Sequence, residues 1–372
     1  MSHDASNKKL STRAISAGRP LRAGDSALNA PISLNSTFTA GGPIGYGRYG
    51  NETWSATESA ISALEGGSSL IFSSGMAAIT AAFSTLPLGA RVIASHQGYS
   101  GVMTLLKQYG ESGRLKVVLV DVANTDEVLA ALSGADLLWL ESPTNPCLDV
   151  AELPQLISAA KAAGILVMVD NTFATALTQR PLHMGADVVM NSVTKFLSGH
   201  SDVLLGSLST ENSELLAALD SARKLHGSIA GPFEAWLALR GIRTFALRFT
   251  QSCKSAQVLA ERLNTHPKVS RVRYPGLVGD SQHERAKKFM ETYGAVLSFE
   301  ILGSAADADR VCESSSIITH ATSLGGVETL WERRRRWPSE SPSVPENLIR
   351  LSVGCEDVED LWEDIQKALA AI

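Results

Sequence analysis

The sequence predicts an α/β protein: a mostly parallel, seven-stranded sheet with helices on both faces, followed by a smaller C-terminal α+β domain. Three observations predict it. Between about residues 58 and 205, short apolar runs alternate with Ala-rich segments of helical character, the pattern of strands buried on both faces by crossover helices. After Gly231-Pro232 that alternation gives way to one long helical stretch, sparse strand-like runs and a terminal amphipathic helix. A chain of 372 residues is too long for one compact core, so a large unit with a smaller companion is the expected division.

Residues 1–45 carry Pro20, Pro31 and Pro43 among several Gly and Ser, with little periodicity. This reads as an extended arm that contacts a neighbouring subunit. The large domain is expected over residues 46–235. Its strands are the apolar runs Ser69–Phe72, Arg91–Ala94, Leu115–Val120, Asp136–Leu140, Ile165–Val169, Asp187–Met190 and Val203–Gly206, and its helices include Met76–Ser84, Thr125–Ser133 and Leu153–Ala163. The C-terminal domain, residues 236–372, is expected to hold a long helix from Phe233 through Leu263, strands around Val269–Tyr274 and Ala295–Ile301, and a helix from Val358 to Ala371. The run Arg333–Arg336, framed by Trp331 and Trp337, reads in an acidic chain as a solvated helix face or a subunit contact.

Composition narrows the function classes. Apolar residues make up 44% and charged residues 19%, ordinary for a globular protein with ample core material. A net charge of -5 argues against nucleic acid or an anionic membrane as partner. No stretch approaches the roughly 20 apolar residues of a membrane span. The opening segment Met1–Lys9 lacks the apolar core of a secretory signal, so the cytoplasm is the expected location. Cys147, Cys253, Cys312 and Cys355 are widely spaced and form no Cys-x-x-Cys pair, which points to neither zinc nor a disulfide framework. The eight histidines lack metal-ligand spacing, so no metal is expected, and His96 and His200 read as hydrogen-bonding or packing residues.

Ligands of open parallel sheets gather beyond the carboxyl ends of the strands. Three segments fall there: Ser74-Gly75-Met76 after one apolar run, Glu141-Ser-Pro-Thr-Asn145-Pro after another, and Asp170-Asn171-Thr172 after a third. Twenty-five residues beyond Asp170 stands Lys195, in Ser192-Val-Thr194-Lys195. Singly, these have plain readings as a surface lysine, a turn acid and an N-cap serine. Together they supply what pyridoxal 5'-phosphate requires: an amine for its aldehyde, a carboxylate to keep its pyridine nitrogen protonated, and hydroxyl and backbone donors for its phosphate.

The ordered motifs Tyr46-Gly-Arg48-Tyr-Gly-Asn51, Ser74-Gly-Met-Ala-Ala, Glu141-Ser-Pro-Thr-Asn-Pro, Val169-Asp-Asn-Thr-Phe, Ser192-Val-Thr-Lys, Gly231-Pro-Phe-Glu-Ala-Trp, Tyr274-Pro-Gly-Leu, Ser323-Leu-Gly-Gly-Val-Glu and Arg350-Leu-Ser-Val-Gly-Cys-Glu-Asp resemble the cystathionine γ-synthase/γ-lyase family. These are fold-type I pyridoxal-phosphate enzymes of cysteine and methionine metabolism, and the likeness runs over nearly the whole chain. It implies that Lys195 holds the cofactor and moves protons between substrate carbons, and that Asp170 pairs with the ring nitrogen. Gly75 and Met76 amides, with the Ser192 and Thr194 hydroxyls, would hold the phosphate. Tyr46 and Arg48 would reach the phosphate of a neighbouring subunit. That implies a homo-oligomer, a tetramer built as a dimer of dimers with each active site shared across a dimer. Tyr99 would stack on the ring and exchange a proton with the substrate. Arg350 would clamp the substrate carboxylate with its planar fork, Asn145 would lie near the ring hydroxyl or that carboxylate, and Ser323 would stand at the rim beside Arg350.

The implied activity is carbon–sulfur bond cleavage in a sulfur amino acid, foremost γ-elimination of the cystathionine γ-lyase type, giving a 2-oxo acid, ammonia and a thiol. γ-Replacement of an O-acylhomoserine by a thiol, methionine γ-elimination, β-elimination, and a cofactor-binding paralogue with a regulatory role are the alternatives. The chain departs from the family where Gly45, Thr104 and Thr322 replace charges common in members that handle cystathionine, where Asn51-Glu52-Thr53 replaces Asn-Pro-Thr, where Gly101 replaces the cysteine of methionine-selective members, and where Trp331–Pro345 replaces a His-Pro or Met-Thr-His segment. These departures imply a smaller or less polar thioether substrate.

Overall fold

Seven strands form the central sheet: β1 (Ser68–Phe72), β2 (Ala90–Ser95), β3 (Leu115–Val120), β4 (Leu137–Glu141), β5 (Leu166–Asp170), β6 (Val188–Ser192) and β7 (Gly206–Thr210), in the order β1-β7-β6-β5-β4-β2-β3. The computed structural model describes residues 7–372; the first six residues, part of the expected arm and of the segment read as lacking a signal, lie outside the described residues. β7 runs antiparallel to both β1 and β6, and the remaining pairs are parallel.

Alternation along the strands explains the two covered faces. On β2, Val92 and Ala94 join the core that includes Phe83, Leu106 and Leu219, whereas Ile93 joins Val128, Leu156 and Ile157 on the opposite side. Both faces are apolar because helices cover both. β7 lies at 206–210, C-terminal to the apolar run Val203–Gly206 expected to form it. Its serines are buried: Ser209 Oγ meets Ser69 Oγ of β1 at 2.7 Å, whereas Ser207 Oγ has no hydrogen-bond partner among the described residues.

The 33-residue helix Pro232–Asn264 starts with Pro at its first turn, where a missing N–H costs nothing. It leads into a second sheet of β8 (Val269–Arg273), β9 (Val296–Ile301), β10 (Thr319–His320), β11 (Leu330–Arg333) and β12 (Leu348–Ser352), in the order β10-β11-β12-β9-β8. The last helix, Val358–Ala370, is capped by Asp357 and buries Leu361, Ile365 and Leu369.

Residues expected to be part of an extended arm include helix α1 (Leu10–Ser16). It packs Ala14 against the core that also holds Ile61 and Phe245, and Arg243 Nη1 donates to Ala14 O at 2.9 Å. Beyond it the described residues form no helix or strand until α2 (Glu52–Glu65), although Thr37 and Tyr46 make an isolated bridge. Among the described residues no helix is long and apolar enough to cross a membrane.

Candidate active site

A cavity of about 340 Å³ opens where β1, β4 and β5 end and the second sheet approaches. It is lined by Gly75, Met76, Tyr99, Asn145, Asp170, Ser192, Thr194, Lys195, Ser323 and Arg350. Ten candidates separated by as many as 275 positions are therefore brought to one place. Tyr46 and Arg48 are not among its lining residues. Arg48 Nη1 donates to Lys224 O at 2.9 Å and its guanidinium lies 5.1 Å from the Tyr49 ring, while Tyr46 is 47% exposed.

Lys195 sits in the segment joining β6 to β7. That segment is tied at both ends: Lys195 N–H donates to Ser192 O at 3.1 Å, and Thr194 Oγ1 accepts from Leu205 N–H at 2.9 Å. The amine Nζ donates to Ser323 Oγ at 2.7 Å. Burial, reinforced by the Arg350 charge, lowers Lys195 from 10.5 to about 8, so a neutral, nucleophilic amine is within reach near physiological pH. Ser323 has φ 114°, a conformation L-residues avoid. Two residues on, Gly325 has φ 79°, and a Cβ there would lie 2.7 Å from Phe196 N. The Ser323–Gly325 loop thus packs directly on the backbone that follows the lysine.

Asp170 ends β5, 7% exposed, with Oδ1 accepting from Thr172 N–H at 3.0 Å. Burial raises its carboxyl above the ordinary value, and among the described residues no cation pairs with it. Glu141 ends the neighbouring β4. Its Oε2 accepts from Tyr99 N–H at 2.8 Å and its Oε1 from Asn145 N–H at 2.9 Å, so one carboxyl fixes both residues. Burial and then the charge of Asp170 push Glu141 up to about 8. The Tyr99 ring lies close to Gly101, where a Cβ would be 2.7 Å from Tyr99 Cε1 and 3.0 Å from Met76 Sδ.

At the other end of the cavity floor, Ser74 caps α3 (Gly75–Ser84), accepting from Ala77 N–H at 3.1 Å. A Cβ on Gly75 would lie 3.1 Å from Ser192 Oγ, and one on Gly206 would lie 2.3 Å from Ser74 O. These two glycines let the helix start, with its unpaired N–H groups, press against the Ser192 segment, which forms an anion cradle. Pyridoxal 5'-phosphate fits these residues: donors for its phosphate, a buried acid lacking a cation for its ring nitrogen, and a buried amine of lowered basicity for its aldehyde.

Arg350, in β12, donates through Nη1 to Asn145 Oδ1 and through Nη2 to Ser323 O and Glu332 Oε1, each at 2.9 Å. Burial lowers it to about 10. Sequence reasoning missed the layer behind it. Glu332 is fully buried and takes five donors: Arg334 and Arg350 on Oε1, and Thr322, Arg336 and Trp337 on Oε2. Opposed by burial, the arginine charges still hold Glu332 down to about 2.

The four-arginine run is neither a solvated helix face nor free for a subunit contact throughout. Arg333 belongs to β11 and Arg334–Arg336 to a short 3₁₀ turn. Arg333 pairs with Asp309, Arg334 with Glu332 and Glu340, Arg335 with Glu346, and Arg336 with Glu332. Each guanidinium has a carboxylate partner, and Arg334, Trp337, Ser339 and Thr322 line the cavity. The sequence signal was the acids Glu332, Glu340 and Glu346 flanking the arginines.

Fold and cavity together define a fold-type I pyridoxal-phosphate enzyme. The chain belongs to the family described as Cys/Met metabolism PLP-dependent enzymes, whose model matches residues 11–370. A Streptomyces coelicolor relative is 44% identical over 370 residues, 96% of this chain and 93% of the relative. The cystathionine γ-lyase of Dictyostelium discoideum is 38% identical, covering 98% of both chains. Among solved structures, CalE6, a methionine γ-lyase from Micromonospora echinospora, is 36% identical with a TM-score of 0.93, covering 98% of this chain and 100% of its own.

Proposed function

We propose that the protein is a pyridoxal-phosphate-dependent carbon–sulfur lyase that breaks the Cγ–S bond of a thioether amino acid and releases its γ-substituent as a thiol, in the manner named for its Dictyostelium and Micromonospora relatives. One water is consumed, and a thiol, ammonia and a 2-oxo acid are released. The observation that carries this reading is the buried Lys195 amine, held by Ser323 and sharing one cavity with Asp170 and the Asn145-paired Arg350.

When bound, pyridoxal phosphate supplies an aldehyde for the substrate amine and a protonated ring that accepts the electron pair left by the departing α-proton. Asp170 holds that ring proton. Gly75, Met76, Ser192 and Thr194 hold the phosphate. Arg350 takes the substrate carboxylate in a bidentate grip, oriented by Asn145. Lys195 Nζ removes the α-proton and redelivers it, then draws a β-proton so that the γ-thiolate can leave. Tyr99, its backbone fixed by Glu141, would pack against the cofactor and protonate the departing sulfur.

Tyr46 and Arg48 reach a neighbouring subunit's cradle, an assignment supported by their position outside the cavity of their own chain. The active unit is accordingly a dimer, doubled to a tetramer, with 1–45 as the contacting arm, 46–235 as the cofactor-binding domain and 236–372 as the C-terminal domain. The acidic chain, with no described membrane-spanning helix, works in the cytoplasm without a nucleic-acid or membrane partner. Incubating the purified, cofactor-loaded protein with cystathionine, methionine and O-acylhomoserine, with and without cysteine, tests the reading. Release of 2-oxo acid with thiol is expected; no product from any of them overturns it.

A further inference from the structure

The cavity contains a second guanidinium that the proposed chemistry leaves unused. Arg334 lines the same space as Lys195 and Arg350, yet its side chain is only 5% exposed. Its Nε and Nη2 face Glu340 Oε2 at 2.9 and 2.7 Å, and its Nη1 donates to Glu332 Oε1 at 2.5 Å. Three of its five N–H positions are thus engaged and two remain. Holding one guanidinium between two buried carboxylates fixes the plane of the fork.

The rest of this wall has the same character. Ser339 contributes a hydroxyl and Trp337 a ring face backed by the Arg336 guanidinium at 4.7 Å, while the Thr322 hydroxyl is already given to Glu332. The acids nearest to it are already committed: Glu332 to five donors, and Glu340 to Arg334. Among the described residues lining the cavity, the only acids are Asp170 and Glu141. Asp170 is at the cofactor end, and Glu141 is occupied by the Tyr99 and Asn145 amides. This wall therefore offers the two remaining Arg334 N–H positions, the Ser339 hydroxyl and an aromatic face, with no free carboxylate for an ammonium.

Resting on the lyase reading above, we propose that Arg334 is a specificity residue that binds a carboxylate at the far end of the substrate's γ-substituent, so the preferred substrates are homocysteine thioethers ending in an acid without an amino group. The test uses the cofactor-loaded protein and three thioethers of matched length: S-(2-carboxyethyl)homocysteine, S-propylhomocysteine and cystathionine, which adds an ammonium to the first. A kcat/KM at least tenfold higher for the carboxyethyl compound than for either other is expected. Equal values, or a preference for cystathionine, overturn the proposal while leaving the lyase reading intact; no turnover of any of the three overturns the lyase reading instead.

Binding of an unreactive analogue gives an independent readout by calorimetry: 2-aminosuberate, whose second carboxylate stands at the chain position it has in the carboxyethyl thioether, against 2-aminooctanoate, with the diacid expected to bind tenfold tighter. If it does not, the subsite is refuted whatever the turnover. Arg334→Met is expected to collapse the carboxyethyl-to-propyl ratio towards one. Should that variant not fold, Arg334→Lys keeps the charge between Glu332 and Glu340 but loses the planar fork, and the ratio is expected to fall at least threefold. An unchanged ratio in the folded variant overturns the assignment.

Discussion

Glu332 and Arg350 face each other across the antiparallel pairing of β11 and β12, with Oε1 and Nη2 at 2.9 Å. The same carboxylate holds Arg334, Arg336, Trp337 and Thr322, so Arg350, proposed to clamp the substrate carboxylate, shares one anchor with the neighbouring cavity wall. Glu332→Gln removes the charge from that anchor and leaves guanidiniums under-compensated. A rise in KM of roughly tenfold, about 1.4 kcal/mol of binding, is expected to exceed the change in kcat. Stability carries a pH signature as well. Glu332 is held at about 2 against a free value of 4.5, so its contribution is complete above about pH 4.5 and is lost as pH falls towards 2. Thermal melts between these limits should fall more steeply for the wild type than for Glu332→Gln; parallel slopes contradict the assignment.

Lys195→Ala should abolish the visible absorption that marks covalent attachment of the cofactor to the protein, while circular dichroism remains that of the folded chain. Persistence of that band would exclude Lys195 as the attachment point.

Attachment of the cofactor to the free protein needs the unprotonated amine. With Lys195 lowered to about 8, the rate of colour development after adding pyridoxal phosphate should climb as pH rises through about 8 and then level off. Because burial is the leading cause and Arg350 the second, Arg350→Met should move the midpoint upward without restoring an ordinary lysine. A midpoint above 10 in the wild type would show that the amine is not desolvated as described.

Gly101→Ala places a methyl group 2.7 Å from the Tyr99 ring. The ring is 41% exposed and can swing away, so the cost in stability should stay within about 1 kcal/mol. The cost to catalysis should be larger, roughly tenfold in kcat, because a 1 Å displacement of a proton-transferring group is enough for that. Steady-state rates set beside thermal melts separate the two; a variant as active as the wild type would remove Tyr99 from the mechanism.

Most of the central sheet was legible because short apolar runs ending in an acid, such as Leu137–Glu141 and Leu166–Asp170, stand out between polar turns. β7 was displaced from its expected position because its serines are buried, Ser209 against Ser69 of β1, which a hydropathy reading takes for exposure. The cofactor end of the cavity was legible for a related reason: strand ends mark it locally, as at Ser74, Asp170 and Ser192. The substrate end was not. Arg350 and Glu332 are 18 residues apart and meet only through strand pairing, so a window on the sequence sees four consecutive arginines and reads solvent. Glu141 was read as part of a motif, but its role depends on Tyr99 lying 42 residues earlier.

The tether at Thr194 and Leu205 bears on how this chain can diverge. The lysine rides on a connection whose two ends are locked into adjacent strands, and the Ser323–Gly325 loop lies on top of it. Lengthening or shortening that connection would break strand register and reactive amine together. Side chains between Trp331 and Pro345 can change without touching that connection, and because Glu332 and Arg334 act on the Lys195 charge, such a change redraws one wall of the cavity and retunes the amine together.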